Sequence, residues 1–481
     1  MSKIRSMLWP IYGKENKKFI PMLIMMILSL FVYTSVRINK DALIITAAGS
    51  GAGVLNFLKG YAVMPSSILF VIYYSLMSNK VSKKNLFYVT LLPFIAFFVL
   101  FAVVLYPLQG TLHVGPDKLA LLQDTYPRLR YVLPIFGYWS FSLFYVFAEL
   151  WGNVAITLLF WQFANLTTTK DEVKRFYPTF ATYGNFGLMA AGFIQRQSIP
   201  TEITCFIVIF AVITLAGTYL WVNKYGLEEV ILKQLENAQE IKKEKKPTLK
   251  ESFLLIIQSK YLRYIAIMVL AYGMTANLAE VTWKHQVKEL YPVKEDYQAF
   301  MGNFFIVTGI STWVMGVFGK LIVGRFGWLM TALLTPIALL STTCLFFGFT
   351  LYSTVLLPAA LLVGSMPLIL GVIIGAIQNI ASKGTKYAWF DPATQMTYIP
   401  LEDELRIKGK AAVDVLGSRL GKSLGGHIQA FALILTGGSQ ITIAPFLMCI
   451  SLAIGAWWIY ATRKLSGEYA KKLKESESKG K

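Results

Sequence analysis

Arg37 and Lys40 stand about one turn apart inside an otherwise apolar run, with Tyr33 a turn earlier on the same face and Asp41 directly after. Three further apolar runs carry polar and charged residues in the same manner. One holds Glu149 and Asn153 in a polar stripe that begins with Tyr138, Ser142 and Tyr145 and includes Gly152. Another sets Asn277, Glu280 and Lys284 on the face of Gly273, and a third sets Lys410 and Asp414 in line with Gly417 and Gly421, with Arg419 and Lys422 on other faces. An ionised side chain at mid-bilayer costs about 2.5–3.5 kcal/mol on insertion scales, so such positions are functional candidates by default. Arg offers a planar fork of donors and Lys a point charge, which together suit a phosphate chain. Cations outnumber acids, which points to an anionic cargo. Plainer readings stay open: Arg37 and Lys40 as helix-end cations that snorkel to the interface, the Glu149 stripe as a hydrogen-bonded seam between helices, and Glu280 and Lys284 as an i, i+4 pair that merely neutralises itself.

The elements that position these residues follow from composition. With 55% hydrophobic and 14% aromatic residues among 481, and a mean hydropathy of +0.54, the chain has more apolar surface than a soluble core can hide. A bilayer absorbs about 20 apolar residues per helix. The fold class expected is an all-α polytopic membrane protein. Hydropathy predicts twelve spans, near 19–38, 61–79, 86–107, 132–165, 174–195, 203–223, 261–283, 299–319, 327–349, 353–381, 411–435 and 441–462. Lys and Arg are dense in the N-terminal segment, the turn at 80–84, the segment 224–263, the turn at Lys320 and Arg325, and the tail 463–481. Both termini are therefore expected in the cytoplasm. The net charge of +20 is mostly this topological signal, and no nucleic-acid partner is expected. The basic N-terminus runs straight into a span-length segment without a small-residue cleavage site, so neither a signal nor a transit peptide is expected.

The polar stretch 224–260 predicts a cytoplasmic connector between an N-terminal six-helix half, 1–223, and a C-terminal half, 261–464, followed by a basic tail, 465–481. Internal similarity agrees: 173–195 matches 407–429, pairing Lys174 with Lys408, Gly187 with Gly421, Gly192 with Gly426 and Gln195 with Gln429. Lys40 and Lys284 likewise close the first helix of each half. Two six-helix parallel repeats joined by a long loop is the layout of major-facilitator-type carriers. The glycine motifs GSRLGKS (417–423) and GSGAG (49–53) have no strand or βαβ context and carry no nucleotide-hydrolysis expectation. Cys205, Cys344 and Cys449 read as packing residues, and His113, His285 and His427 are scattered, so no metal, cofactor or enzymatic centre is expected.

RINKDALIIT (37–46), FAELWGN (147–153), LFWQFAN (159–165), NLAEVTWKHQVKELYP (277–292) and the long stretch 382–426, SKGTKYAWFDPATQMTYIPLEDELRIKGKAAVDVLGSRLGKSLGG, resemble the nucleotide transporter family. That family includes the ATP/ADP translocases of obligate intracellular bacteria and plastids. The resemblance runs over about residues 8–465 and implies that Lys40, Glu149, Glu280 and Lys410 matter for transport. It implies ATP/ADP exchange by alternating access. The alternatives are proton-coupled or exchange import of GTP, CTP or UTP, or carriage of another phosphorylated anion. The expected setting is a bacterial inner membrane, with nucleotide and lipid bilayer as partners and a monomeric chain. Phosphates are expected on Lys40 and Arg37 from one repeat and on Lys410 and Lys284 from the other. Glu149 and Glu280 would neutralise those cations in the empty carrier or take up protons.

Overall fold

Lipid offers the backbone no hydrogen-bond partners, so each spanning segment must satisfy its own, and among the described residues every regular element is helical. The computed structural model describes residues 9–227, 254, 256–352, 366–401 and 403–479. Most of the expected connector and the first part of the tenth expected span lie outside the described residues.

The helices, in chain order, are α1 (Asn16–Thr46), α2 (Val54–Lys80), α3 (Lys84–Leu105), α4 (Trp139–Thr167), α5 (Lys170–Tyr183), α6 (Phe186–Gln195) and α7 (Thr201–Gly226). They continue as α8 (Lys260–Leu290), α9 (Lys294–Val317), α10 (Gly327–Leu351), α11 (Pro367–Met396), α12 (Asp403–Thr436) and α13 (Ala444–Lys479). Among the described residues ten segments are long and apolar enough to cross a membrane: all of these except α5, α6 and α12. The fifth expected span, 174–195, is two shorter helices. Asn185 breaks it by donating from Nδ2 to the Ala181 and Thr182 carbonyls at 2.8 and 3.1 Å. Gly187 then lets α6 lie directly on α1, where a Cβ would collide with the Ile27 carbonyl. The eleventh expected span falls within α12, much of whose side-chain set, Lys410 and Asp414 included, lies outside the described residues.

Several helices widen into π turns, at Leu58–Val63 in α2, Phe101–Leu105 in α3, Gly152–Trp161 in α4, Val222–Gly226 in α7 and Lys386–Phe390 in α11. A π turn shifts the facing of later side chains and often marks function. Three of these five contain a polar or charged residue discussed below: Lys59, Asn153 and Lys386.

Two units form. The first comprises the described residues of Met1–Val54, Tyr61–Lys242 and Tyr291–Val317. In it α1 packs on α4, α6 and α7. Phe19 stacks on Phe180 with centroids 4.7 Å apart, and Trp151 donates from Nε1 to the Ser29 carbonyl at 3.1 Å. The start of α5 is fixed by a capping box between Thr169 and Glu172, and Glu172 also receives the buried Lys18 at 2.7 Å. α9 joins this unit by backbone approach: a Cβ on Gly192 would lie 2.5 Å from the Gly302 carbonyl.

The second unit comprises the described residues of Leu55–Gly60, Lys243–Leu290 and Phe318–Lys481. Here α8 is central and packs on α11, α12 and α13. A Cβ on Gly273 would lie 3.1 Å from the Gly421 Cα, so α8 and α12 cross with their backbones nearly touching. Trp283, fully buried, donates from Nε1 to the Val372 carbonyl at 2.9 Å and ties α8 to α11.

Candidate functional site

In the first unit the charged face of α1 meets the polar stripe of α4. The Lys40 ammonium lies 2.8 Å from Asp41 Oδ1, 3.0 Å from Glu149 Oε1 and 3.7 Å from the centre of the Tyr145 ring. Tyr145 and Glu149 are one turn apart, which aims both at the same cation. Lys40 and Asp41 are sealed, at 1% and 0% side-chain exposure, whereas Glu149 keeps 26%. Glu149 is thus the accessible edge of this cluster.

The rest of the stripe divides by role. Tyr138 donates its hydroxyl to the Ala48 carbonyl at 2.7 Å and Ser142 donates to the Ile135 carbonyl at 2.8 Å, so these two serve the backbone. Gly152 receives the Tyr33 ring, which lies 2.5 Å from where a Cβ would stand. Asn153 follows Glu149 by four residues, half-buried, in the π turn of α4. Arg37 is also half-buried, its guanidinium 5.8 Å from the Tyr33 ring centre and 5.6 Å from that of Phe305 on α9. Stacking on rings is thus part of its environment, alongside the polar partners it has.

Next to Lys40 runs a carboxamide relay that was not singled out from the sequence. Asn39 donates from Nδ2 to Gln195 Oε1 at 2.8 Å, Gln298 donates from Nε2 to Asn39 Oδ1 at 2.8 Å, and Gln195 donates to Thr204 Oγ1 at 3.3 Å. It links α1 to α6, α7 and α9. Its signal was the repeat itself, since Gln195 pairs with Gln429 in the 173–195 and 407–429 match. In the second unit Gln429 donates to the Asn277 carbonyl at 3.4 Å. In each unit, therefore, a glutamine of the aligned pair is tied to the helix that carries the sealed lysine.

The helix α8 carries Glu280 and Lys284. Their ion pair measures 3.0 Å, with Lys284 at 1% and Glu280 at 14% side-chain exposure. Asn277, a turn earlier, accepts a hydrogen bond on Oδ1 from Lys59 of α2 at 2.9 Å. Lys59 was missed in the sequence because it follows a glycine-rich loop and reads as the polar lead-in to a span. Lys386 was missed too. The π turn of α11 brings its ammonium 2.8 Å from Asp391 Oδ2, with the Tyr387 and Tyr272 ring centres at 4.6 and 5.7 Å. The five-residue spacing would not align on an ordinary helix face. Lys410 and Asp414 are on α12 by their backbone.

Among the described residues no three His, Cys, Asp or Glu side chains gather as a metal site would require. The arrangement is electrostatic: a sealed lysine on α1 and another on α8, each held by a partly accessible carboxylate. A buried lysine held this way can exchange one negative partner for another without standing unpaired in low dielectric.

A family model described as TLC ATP/ADP transporter matches residues 1–469. The chain is 40% identical over 495 residues to ADP,ATP carrier protein 1 of Chlamydia pneumoniae, covering 99% of this chain and 96% of that one. It is 39% identical over 484 residues to ADP,ATP carrier protein 1 of Rickettsia bellii, covering 98% and 96%. It is also 39% identical over 489 residues to the chloroplastic ADP,ATP carrier protein 2 of Arabidopsis thaliana, covering 97% and 77%. Among solved structures, a bacterial homologue of the iron transporter ferroportin in its inward-facing state aligns with a TM-score of 0.56 and 14% identity, over 97% of this chain and 100% of that one. A D-xylose-proton symporter aligns at 0.55 and 12% identity, over 90% and 96%. At these identities the structures speak for the fold alone.

Proposed function

The chain belongs to the TLC ATP/ADP transporter family, and from that premise we propose that it exchanges ATP for ADP across a membrane by alternating access. The observation that carries the reading is the paired sealed lysines, Lys40 with Asp41 and Glu149, and Lys284 with Glu280. Lys40 and Arg37 in the first repeat, and Lys284 and Lys410 in the second, supply contacts to phosphate. Glu149 and Glu280 take the lysines back when the nucleotide leaves. Asn153, Asn277 and Asp414 complete the polar faces on which these residues stand. The wider frame proposed is twelve spans in two repeats with halves at 1–223 and 261–464, both termini in the cytoplasm, and a monomer in a bacterial inner membrane.

The step that matters is the exchange of partners. A phosphate oxygen approaching Lys40 competes with Glu149, the more exposed of its two carboxylates. Charge-assisted bonds of this kind contribute about 1.5–3 kcal/mol each. Anion for anion leaves each lysine with a negative partner at every stage, which is consistent with exchange.

A second reading has its own support. Glu149 retains 26% side-chain exposure beside a sealed lysine, so a proton could reach it and make import proton-coupled. The test of the function is counterflow in proteoliposomes loaded with ADP and offered labelled ATP, ADP, GTP, CTP or UTP. Rapid uptake of ATP and ADP, with the other three at least tenfold slower, is the expected result. Uptake of a different phosphorylated anion, with no adenine nucleotide moving, would remove the reading.

A further inference from the structure

We propose that Lys59 is a phosphate ligand of the carried nucleotide, held ready by Asn277. The proposal rests on the nucleotide-exchange reading above and adds a residue to it. Lys59 lies in the π turn at the start of α2, and its ammonium donates to Asn277 Oδ1 at 2.9 Å within the second unit. Asn277 precedes Glu280 by three residues and Lys284 by seven, so Lys59 is fastened to the charged face of α8.

The surroundings are polar atoms without matches. Asn56, one turn before Lys59 and fully buried, has neither its Oδ1 nor its Nδ2 in a hydrogen bond. Asn277 Nδ2 and Gln429 Oε1 are likewise buried and unmatched. Buried carboxamides ordinarily find partners, and orphaned ones at a shared place point to a ligand. The place is the glycine pair of α12. A Cβ on Gly426 would lie 3.4 Å from the Asn56 carbonyl and 3.9 Å from Asn277 Nδ2, and one on Gly425 would lie 3.2 Å from Asn277 Nδ2. The Lys59 ammonium and the unmatched Nδ2 groups of Asn56 and Asn277 are donors of the kind phosphate oxygens require, while Asn56 Oδ1 and Gln429 Oε1 remain as acceptors for a hydroxyl of the same ligand. A phosphate outcompetes a neutral carboxamide oxygen for a lysine, since its ionised oxygens add charge–charge attraction that a neutral acceptor lacks. Asn277 therefore positions Lys59 in the absence of cargo and gives it up to the cargo.

The alternative is a bolt that merely fastens α2 to α8. Kinetics separate the two. Wild type, Lys59→Gln and Lys59→Arg are reconstituted with ADP inside, and uptake of labelled ATP and ADP is followed against concentration. Lys59→Gln is expected to raise KM for both nucleotides by roughly ten- to a hundredfold, and Lys59→Arg to recover most of that loss. Asn277→Asp keeps the lysine but gives it a carboxylate to hold, so it too should raise KM; this arm decides the matter if Lys59→Gln does not insert. An unchanged KM in Lys59→Gln, or a fall in maximal rate alone, overturns the proposal while leaving the exchange reading intact. A wild type that moves no nucleotide overturns both.

Discussion

Lys40 does not wait as a bare cation. It is enclosed by Asp41, Glu149 and Tyr145, and the two carboxylates make the cluster acidic by one charge when all three groups are ionised. Removing the lysine therefore does more than delete a phosphate contact, because it takes the cation from beside a sealed aspartate. Lys40→Ala is expected to lower exchange at least tenfold and to lower stability by about 3–5 kcal/mol, the usual cost of breaking a buried pair. Lys40→Arg, which keeps the charge, should restore the melting temperature in detergent but not the full exchange rate. Equal melting temperatures for Lys40→Ala and wild type would contradict the enclosure. At the start of α1, Arg175 grips Glu15 with both terminal guanidinium nitrogens at 2.5 and 2.7 Å. That grip holds the Glu15 carboxyl below its ordinary value of 4.5. A depressed carboxylate stabilises the fold fully above its unfolded pKa and loses that contribution as pH falls through the lower folded value. Melting curves should show Glu15→Gln below wild type at neutral pH, with the gap closing under acid conditions below about 4.5. A gap that widens on acidification would reverse the assignment. The residues legible in the sequence were those whose charge conflicts with an apolar span: Lys40, Glu149, Glu280 and Lys284. Lys59 and Lys386 were not, because their partners are set by π turns, which change facing without changing composition.

Among the elements, hydropathy locates the long helices well but cannot see where a span is broken. The segment 174–195 is apolar enough to read as one helix, yet α5 ends at Tyr183 and α6 begins at Phe186. The break coincides with Asn185, whose side chain donates to the Ala181 and Thr182 carbonyls, and with Gly184 and Gly187, which bring this stretch against α1. The glycines that the repeat comparison aligned, Gly187 with Gly421 and Gly192 with Gly426, are all contact points between backbones or beside buried amides. Gly192→Ala places a methyl 2.5 Å from the Gly302 carbonyl and should destabilise by about 1–3 kcal/mol, the range for overpacking. Gly217→Ala, where the added methyl has no atom within 4 Å, should be neutral or stabilising by about 0.4–1 kcal/mol. Thermal unfolding of both variants in the same detergent checks the pair, and equal shifts would remove the close approach as its cause.

For the molecule as a whole, each of the two units carries a version of the same arrangement. One unit has Lys40 sealed on α1 with Glu149 beside it and Gln195 tied to Asn39, and the other has Lys284 sealed on α8 with Glu280 beside it and Gln429 tied to Asn277. The copies are not identical: the carboxylates of Lys40 come from α4 and from its own neighbour, whereas that of Lys284 comes from one turn earlier on its own helix. Membership of the ATP/ADP transporter family is the basis for proposing obligatory exchange, in which each lysine trades its carboxylate for an arriving phosphate and back again. The direct measurement is uptake of labelled ATP into liposomes that are either loaded with ADP or empty, with a proton uncoupler present in parallel samples. Loaded vesicles should take up nucleotide at least tenfold faster than empty ones, with the uncoupler having little effect. Uptake into empty vesicles at the loaded rate, abolished by the uncoupler, would contradict exchange and leave Glu149 as the proton carrier.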